Sequence, residues 1–156
     1  MEDDASVRTS IASLLSSVGY ETVSAVDGSS AVALVRNLGV RPDVLIVDYN
    51  LPGEMDGTDA TQAICGTLGY AVPIIVLSGE LANAAVPWVP GAPLFFVWKP
   101  VDPEVLLRVV KTFADLGRFL HARKQPRYGA PWPPLTAQSG HSRMSPAGAS
   151  DEQFMP

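Results

Sequence analysis

Cysteine, basic clusters and long apolar runs are all scarce in this chain. Cys65 is the sole cysteine, which excludes an internal disulfide and favours a reducing compartment. No block of lysine and arginine tracks a phosphate backbone, and the formal net charge is −5, so a nucleic-acid partner is not expected. The longest apolar runs, such as "VPIIVL" at 72–77, are too short to span a bilayer, and no membrane association is expected. The opening "MEDDASVR" has neither the basic nor the apolar region of a signal peptide. His121 and His141 have no partners at metal-ligand spacing and read as solvated. The expectation is a cytoplasmic protein.

What is present is a globular core and an alternation of strand and helix signals. Apolar residues make up 47% of the 156-residue chain and charged ones 17%, a balance that supports a packed domain. Val7, Ile11, Leu14, Leu15 and Val18 recur at a helical period and stop at Gly19, which predicts a helix. "YETVSAV" (20–26) predicts a short strand, and Asp27 caps a second helix ending at Gly39. "DVLIVD" (43–48), "VPIIVLS" (72–78) and "LFFVWKP" (94–100) are continuous apolar runs, the pattern of strands buried on both faces of a parallel sheet. A weaker helix is read over 57–69, and a strong one after Asp102 with Pro103 at its first position. The prolines at 87, 90 and 93 predict only a short or irregular helix between Glu80 and Pro93. Beyond about Lys124 the chain is rich in Pro, Gly, Ala and Ser without periodicity, and such a segment is expected to be disordered. The division expected is a domain over 1–120 and a tail over 121–156.

This order predicts an α/β fold, a parallel sheet with helices on both faces. Ligands in such sheets sit at the carboxyl ends of the strands. Asp48, Ser78 and Lys99 each end a predicted strand and should gather on one edge. A carboxylate there can cap a turn, bind a metal or act as a nucleophile. Glu2, Asp3 and Asp4 precede the first helix and reach the same edge if a strand leads into them. Converging carboxylates repel unless they share a cation, and hard oxygen donors suit Mg²⁺. Asp48 is then placed to attack phosphorus, with Ser78 and Lys99 donating to the phosphoryl oxygens.

The residues "EDD" at the start, "VDYNLPGEMDG" around Asp48, "VLSGE" at Ser78 and "VWKPVDP" at Lys99 together make the chain resemble the receiver domains of two-component response regulators. The resemblance covers residues 1 to about 118. It implies the flavodoxin-like receiver fold, a doubly wound parallel sheet of strand order 2-1-3-4-5. It implies Asp48 as phosphoacceptor, and Mg²⁺ held by Asp3, Asp48, the Asn50 backbone carbonyl and, through water, Glu2. Asp4 falls outside the metal shell as a helix cap, Ser78 at the switch hydroxyl and Phe96 at the switch aromatic. Lys99 matches the family lysine, followed by Pro100, whose peptide bond is usually cis in such domains. Asn50 and Glu80 fall at two positions that tune phosphate loss. The implied partners are a sensor histidine kinase or a histidine phosphotransfer protein, with homodimerisation through the family's fourth helix, fifth strand and fifth helix. The implied role is signalling by conformational switching rather than turnover as an enzyme.

Two departures stand out. Family members begin with an apolar strand in the middle of the sheet, and only Met1 stands in its place here. The expectation is a central gap with unpaired backbone groups, each costing on the order of 1–3 kcal/mol if buried. Either the true strand lies upstream of a misassigned start, or another chain supplies it. The second departure is the tail, which carries no output domain; its "PWPPL" (131–135) suits a polyproline-binding groove. Two other functions compete with the receiver reading. A non-phosphorylated pseudo-receiver would act only as a binding module. A Mg²⁺ phosphatase of the haloacid dehalogenase type would want a second Asp at position 50, which is Asn50.

Overall fold

The apolar runs that end on Asp48, Ser78 and near Lys99 form the strands β1 (Leu45–Asp48), β2 (Ile74–Ser78) and β3 (Leu94–Trp98). The structure, a computed structural model, describes residues 1–79 and 88–122. The sheet is parallel throughout, in the order β1-β2-β3, with Asp48 opposite Leu77 and Ser78 opposite Trp98. These correspond to the last three strands of the expected order. All five residues of β2 are buried, as a strand covered on both faces requires.

Among the described residues four helices cover the faces: α1 (Ala5–Ser17), α2 (Gly28–Leu38), α3 (Gly57–Leu68) and α4 (Pro103–Ala122). Each starts where a side chain satisfies free amide donors. Asp4 accepts from the amides of Ser6 and Val7, Asp56 from Asp59, and Asp102 from Glu104 and Val105. Asp27 and Ser30 form a reciprocal capping box at α2. Gly39 and Gly69 end α2 and α3 in left-handed backbone, which glycine adopts without a Cβ penalty.

The side chains of the strands alternate between two cores. On one face Val47, Ile74 and Val76 meet Ala31, Val32 and Val35 of α2 and Ile64, Cys65 and Leu68 of α3. On the other, Ile75, Leu77 and Val97 meet Leu15 of α1 and Leu106 and Val110 of α4. Burial pushes the Cys65 thiol pKa up, consistent with an inert core residue.

The strand expected over 20–26 does not form, because its partner is nearly absent. Met1 and Glu2 alone run between this segment and β1. The Met1 amino group donates to the Ile46 carbonyl at 2.7 Å, the Asp48 amide to Met1 O at 2.9 Å, and the Glu2 amide to Ala25 O at 3.2 Å. Behind them the expected gap is a cavity of about 410 Å³. Trp98 is half exposed, whereas Trp88 is buried. One other expectation is corrected. His121, read as solvated, sits with Nδ1 3.0 Å from Asp43 Oδ1 and packs edge-on against Tyr70. The irregular helix expected after Glu80 falls mainly on 80–87, and His141 and the tail from 123 onward on the closing segment; both stretches lie outside the described residues. No helix among the described residues is long and apolar enough to cross a membrane.

Candidate functional site: a carboxylate cluster at the sheet edge

Three strand ends converge as the parallel topology dictates. Asp48 closes β1, Ser78 closes β2, and Lys99 follows β3, its amide donating to Ser78 O at 2.7 Å. The Lys99–Pro100 peptide bond is cis. The Lys99 ammonium reaches back across the edge to two carboxylates, Asp48 Oδ2 at 2.9 Å and Glu2 Oε2 at 3.0 Å. Ser78 is fully buried, Asp48 and Glu2 nearly so. The Asn50 amide lies 3.3 Å from Asp48 Oδ1, which brings the Asn50 backbone against the same carboxylate.

Glu2, Asp3 and Asp48 each offer a carboxylate oxygen, and these lie within 4.8 Å of one another. The Lys99 ammonium pairs with two of these three carboxyl groups, Glu2 and Asp48. That excess of negative charge, and a donor set made only of hard oxygens, fits a divalent cation of the Mg²⁺ kind. Asp4 is turned away as the α1 cap, and hydrogen bonds from the Val7 and Ser6 amides pull its pKa down. Burial pushes the Glu2 carboxyl up, its hydrogen bond to Lys99 opposing this, and the nearby Asp48 charge pushes it further. Burial alone would lower Lys99, yet its hydrogen bonds to Asp48 and Glu2 outweigh that and leave it raised.

Two contributors carried no functional signal in the sequence. The Arg8 guanidinium donates from Nη1 to the backbone carbonyls of Glu2 at 2.8 Å and Asp3 at 3.0 Å, tying the acidic pair to α1. Glu2 precedes α1 and Arg8 lies within it, so only the folded turn shows the contact. The second is the Met1 amino group, enclosed beside β1. Burial drives its pKa from 8.0 down to about 6, with Glu2 and Asp48 partly opposing the shift. Phe96, the expected switch aromatic, is partly buried against the α2–α3 core. Glu80 lies outside the described residues.

The lowered amine has a thermodynamic consequence. The unfolded chain binds this proton below about pH 8 and the folded chain only below about 6, so stability rises with pH across that window. In EDTA, urea unfolding should show up to about 2–3 kcal/mol more stability at pH 8 than at pH 6, since one pKa unit is about 1.4 kcal/mol. The raised Glu2 carboxyl acts in the opposite sense in a window starting near its ordinary value of 4.5. Nα-acetylated protein isolates the amine: the gain between pH 6 and 8 should vanish there. An equal gain in the acetylated chain would assign it elsewhere.

Comparison with known proteins bears on the family and the fold. A family model described as the response regulator receiver domain matches residues 1–111. Among curated proteins, the DNA-binding response regulator MtrA of Mycobacterium tuberculosis strain H37Rv is 28% identical over 111 residues, covering 71% of this chain and 47% of that protein. The chain spans about half the length of the MtrA proteins it matches. An uncharacterized 76.5 kDa protein of Thiocystis violacea is 32% identical over 126 residues, 80% of this chain and 18% of that one. Of solved structures, the N-terminal domain of a response regulator/sensory box/GGDEF protein from Carboxydothermus hydrogenoformans has a TM-score of 0.65 at 27% identity, covering 76% of this chain and 93% of that one. The chemotaxis protein CheY4 of Vibrio cholerae has a TM-score of 0.61 at 31% identity, covering 72% and 92%. With matching motifs, a parallel α/β fold and a family match over most of its length, the chain belongs to the response regulator receiver domain family.

Proposed function

We propose that this receiver domain takes a phosphoryl group on Asp48 and signals by a change of conformation. The observation that carries the reading is the convergence of Glu2, Asp3 and Asp48 within 4.8 Å with Lys99 Nζ 2.9 Å from Asp48. An Asp48 carboxylate oxygen attacks the phosphorus of a phosphohistidine on a sensor kinase or phosphotransfer protein. The P–N bond breaks and the imidazole leaves, taking up a proton. Asp3, Asp48, the Asn50 carbonyl and, through water, Glu2 would hold Mg²⁺, which neutralises charge on the phosphoryl oxygens when bound. Lys99 then moves its ammonium from the carboxylate pair to a phosphoryl oxygen, and the Ser78 hydroxyl donates to another.

Ser78 and Phe96 would carry the change outward. Phe95, Trp98, Val105 and Phe119, on β3 and α4, are each close to half exposed. An apolar surface of this kind supports a partner or homodimer contact that phosphorylation regulates. The chain would hold and lose its phosphoryl group without turning over a substrate, in the cytoplasm where such kinases deliver it. Three acidic groups beside a lysine favour this over a pure binding module.

Incubation with acetyl phosphate and Mg²⁺ tests it. The intact mass should rise by about 80 Da, the increment of one aspartyl phosphate, with no rise in EDTA or in Asp48→Asn. Wild-type protein that stays unlabelled, while still unfolding cooperatively, would leave the binding-module reading in its place.

A further inference from the structure

Asp3 joins the carboxylate cluster on different terms from its two neighbours. Asp48 closes β1, and the buried Glu2 carboxylate stands 3.0 Å from Lys99 Nζ. Asp3 is exposed and lies on a segment that is neither helix nor strand. The direction in which its carboxylate leaves the chain is therefore set by the backbone on either side of its Cα. A peptide unit is planar, so only φ and ψ of Asp3 relate the two planes that flank it. One plane carries the Glu2 carbonyl and the other the Asp3 carbonyl. Fixing both carbonyls fixes the Asp3 Cβ.

Arg8 holds both of them. Its Nη1 donates to Glu2 O at 2.8 Å and to Asp3 O at 3.0 Å. A terminal guanidinium nitrogen carries two hydrogens, one for each carbonyl, and bonds from a charged donor are the stronger kind. The place of Arg8 in α1 makes this reach natural. It is the fourth residue of the helix, and helical side chains lean toward the helix N-terminus. A long side chain there covers the residues that lead into the helix. The helix is itself anchored, by the Asp4 cap at its start and by Leu15 in the core. Arg8 thus fastens the Asp3 backbone to an element that is already packed. Its charge acts in the opposite sense, since a guanidinium repels a nearby cation. Arg8 is only partly buried, so solvent and salt weaken that repulsion and leave the positioning effect dominant.

We propose that Arg8 is a positioning residue for a divalent cation at the cluster, acting on Asp3 through the two backbone carbonyls and touching neither the cation nor a phosphoryl group. This role rests on the reading above that the cluster holds a cation. Groups that orient a metal's ligands are typically worth about 10–100-fold in metal affinity. The lower end applies to Arg8, because Glu2 and Asp48 are placed by other contacts and stay where they are when Arg8 is lost.

The test is a titration of the full chain with Mn²⁺ alone, which suits the same hard oxygen donors as Mg²⁺, without any phosphoryl donor. Electron paramagnetic resonance reads the free ion, at a temperature where circular dichroism shows each protein folded. Arg8→Met should bind Mn²⁺ about tenfold more weakly than the wild type. Arg8→Lys keeps the charge on a shorter side chain and should recover part of the loss, binding about threefold more weakly than the wild type. Asp3→Ala removes the ligand that Arg8 places, so Arg8→Met should have little further effect in that background. Wild-type affinity in Arg8→Met would overturn the proposal, and so would tighter binding, which would leave Arg8 its charge alone. An undiminished effect of Arg8→Met in the Asp3→Ala background would overturn it too, because Arg8 would then act elsewhere. If Arg8→Met does not fold, Arg8→Lys decides, and wild-type affinity there overturns the role. A wild-type protein that leaves millimolar Mn²⁺ free would instead remove the cation reading itself, and the role of Arg8 with it.

Discussion

Lys99→Met is expected to destabilise the domain by about 2–3 kcal/mol in EDTA. Its ammonium is the common partner of Glu2 and Asp48, whose side chains are only 5% and 8% exposed. Breaking a buried pair by removing one member leaves an uncompensated charge, an effect of about 3–5 kcal/mol in full burial. Lys99 itself is 28% exposed, so water reaches it and the figure is set lower. The loss should be larger at pH 8 than at pH 5, because the raised Glu2 carboxyl takes up a proton more readily in acid. Glu2→Gln in the Lys99→Met background should recover part of it, since only one of the two carboxylates then lacks a partner. Millimolar Mg²⁺ should restore stability as well, if the cluster holds a cation as proposed. Urea unfolding of the wild type, Lys99→Met and the double variant, with and without Mg²⁺, reads all of this. Lys99→Met with unchanged stability in EDTA would mean that the carboxylates find other compensation.

Gly117→Ala should be destabilising by up to about 2 kcal/mol, the cost of overpacking less the roughly 1 kcal/mol by which alanine is favoured over glycine inside a helix. Gly117 is buried on the face of α4 that carries Leu106, Val110 and Ala114. A Cβ there would stand 1.8 Å from the Asp43 carbonyl oxygen and 2.7 Å from its carbon. Neither backbone atom can rotate away, so α4 must lift from the chain entering β1, and overpacking of this kind typically costs about 1–3 kcal/mol. The same lift stretches the contact of His121 with Asp43, now 3.0 Å. Gly66→Ala is the matched control. It lies inside α3 with nothing within 4 Å of its would-be Cβ, and should gain about 0.5–1 kcal/mol from helix propensity alone. Thermal unfolding of the two variants side by side checks the contrast; a stabilised Gly117→Ala would show that α4 does not depend on this close approach.

Much of the fold was legible because the physics is local. The spacing from Val7 to Val18, the caps Asp4, Asp27 and Asp102, and the glycines after α2 and α3 each leave a mark within one or two helical turns. The buried strands were legible because both faces are covered, so β1 and β2 read as unbroken apolar runs. The segment 20–26 misled for the converse reason. Its composition suits a strand, but strand formation is decided by a neighbour, and only Met1 and Glu2 lie alongside it. His121 misled similarly: its partners Asp43 and Tyr70 are 78 and 51 positions away in the chain, and no spacing rule links them.

The sequence by itself determined the alternation of strands and helices, and with it the edge to which Asp48, Ser78 and Lys99 belong, because parallel strands end on the same side. The tertiary structure alone decided how the charges settle there. Lys99 bridges Glu2 and Asp48 rather than solvent, and Arg8 ties down the acidic pair through two backbone carbonyls. It also decided that Met1 lies opposite Val47 with a cavity behind it. Such choices depend on distances between residues far apart in the chain and on how much water reaches them. Periodicity and motif record neither.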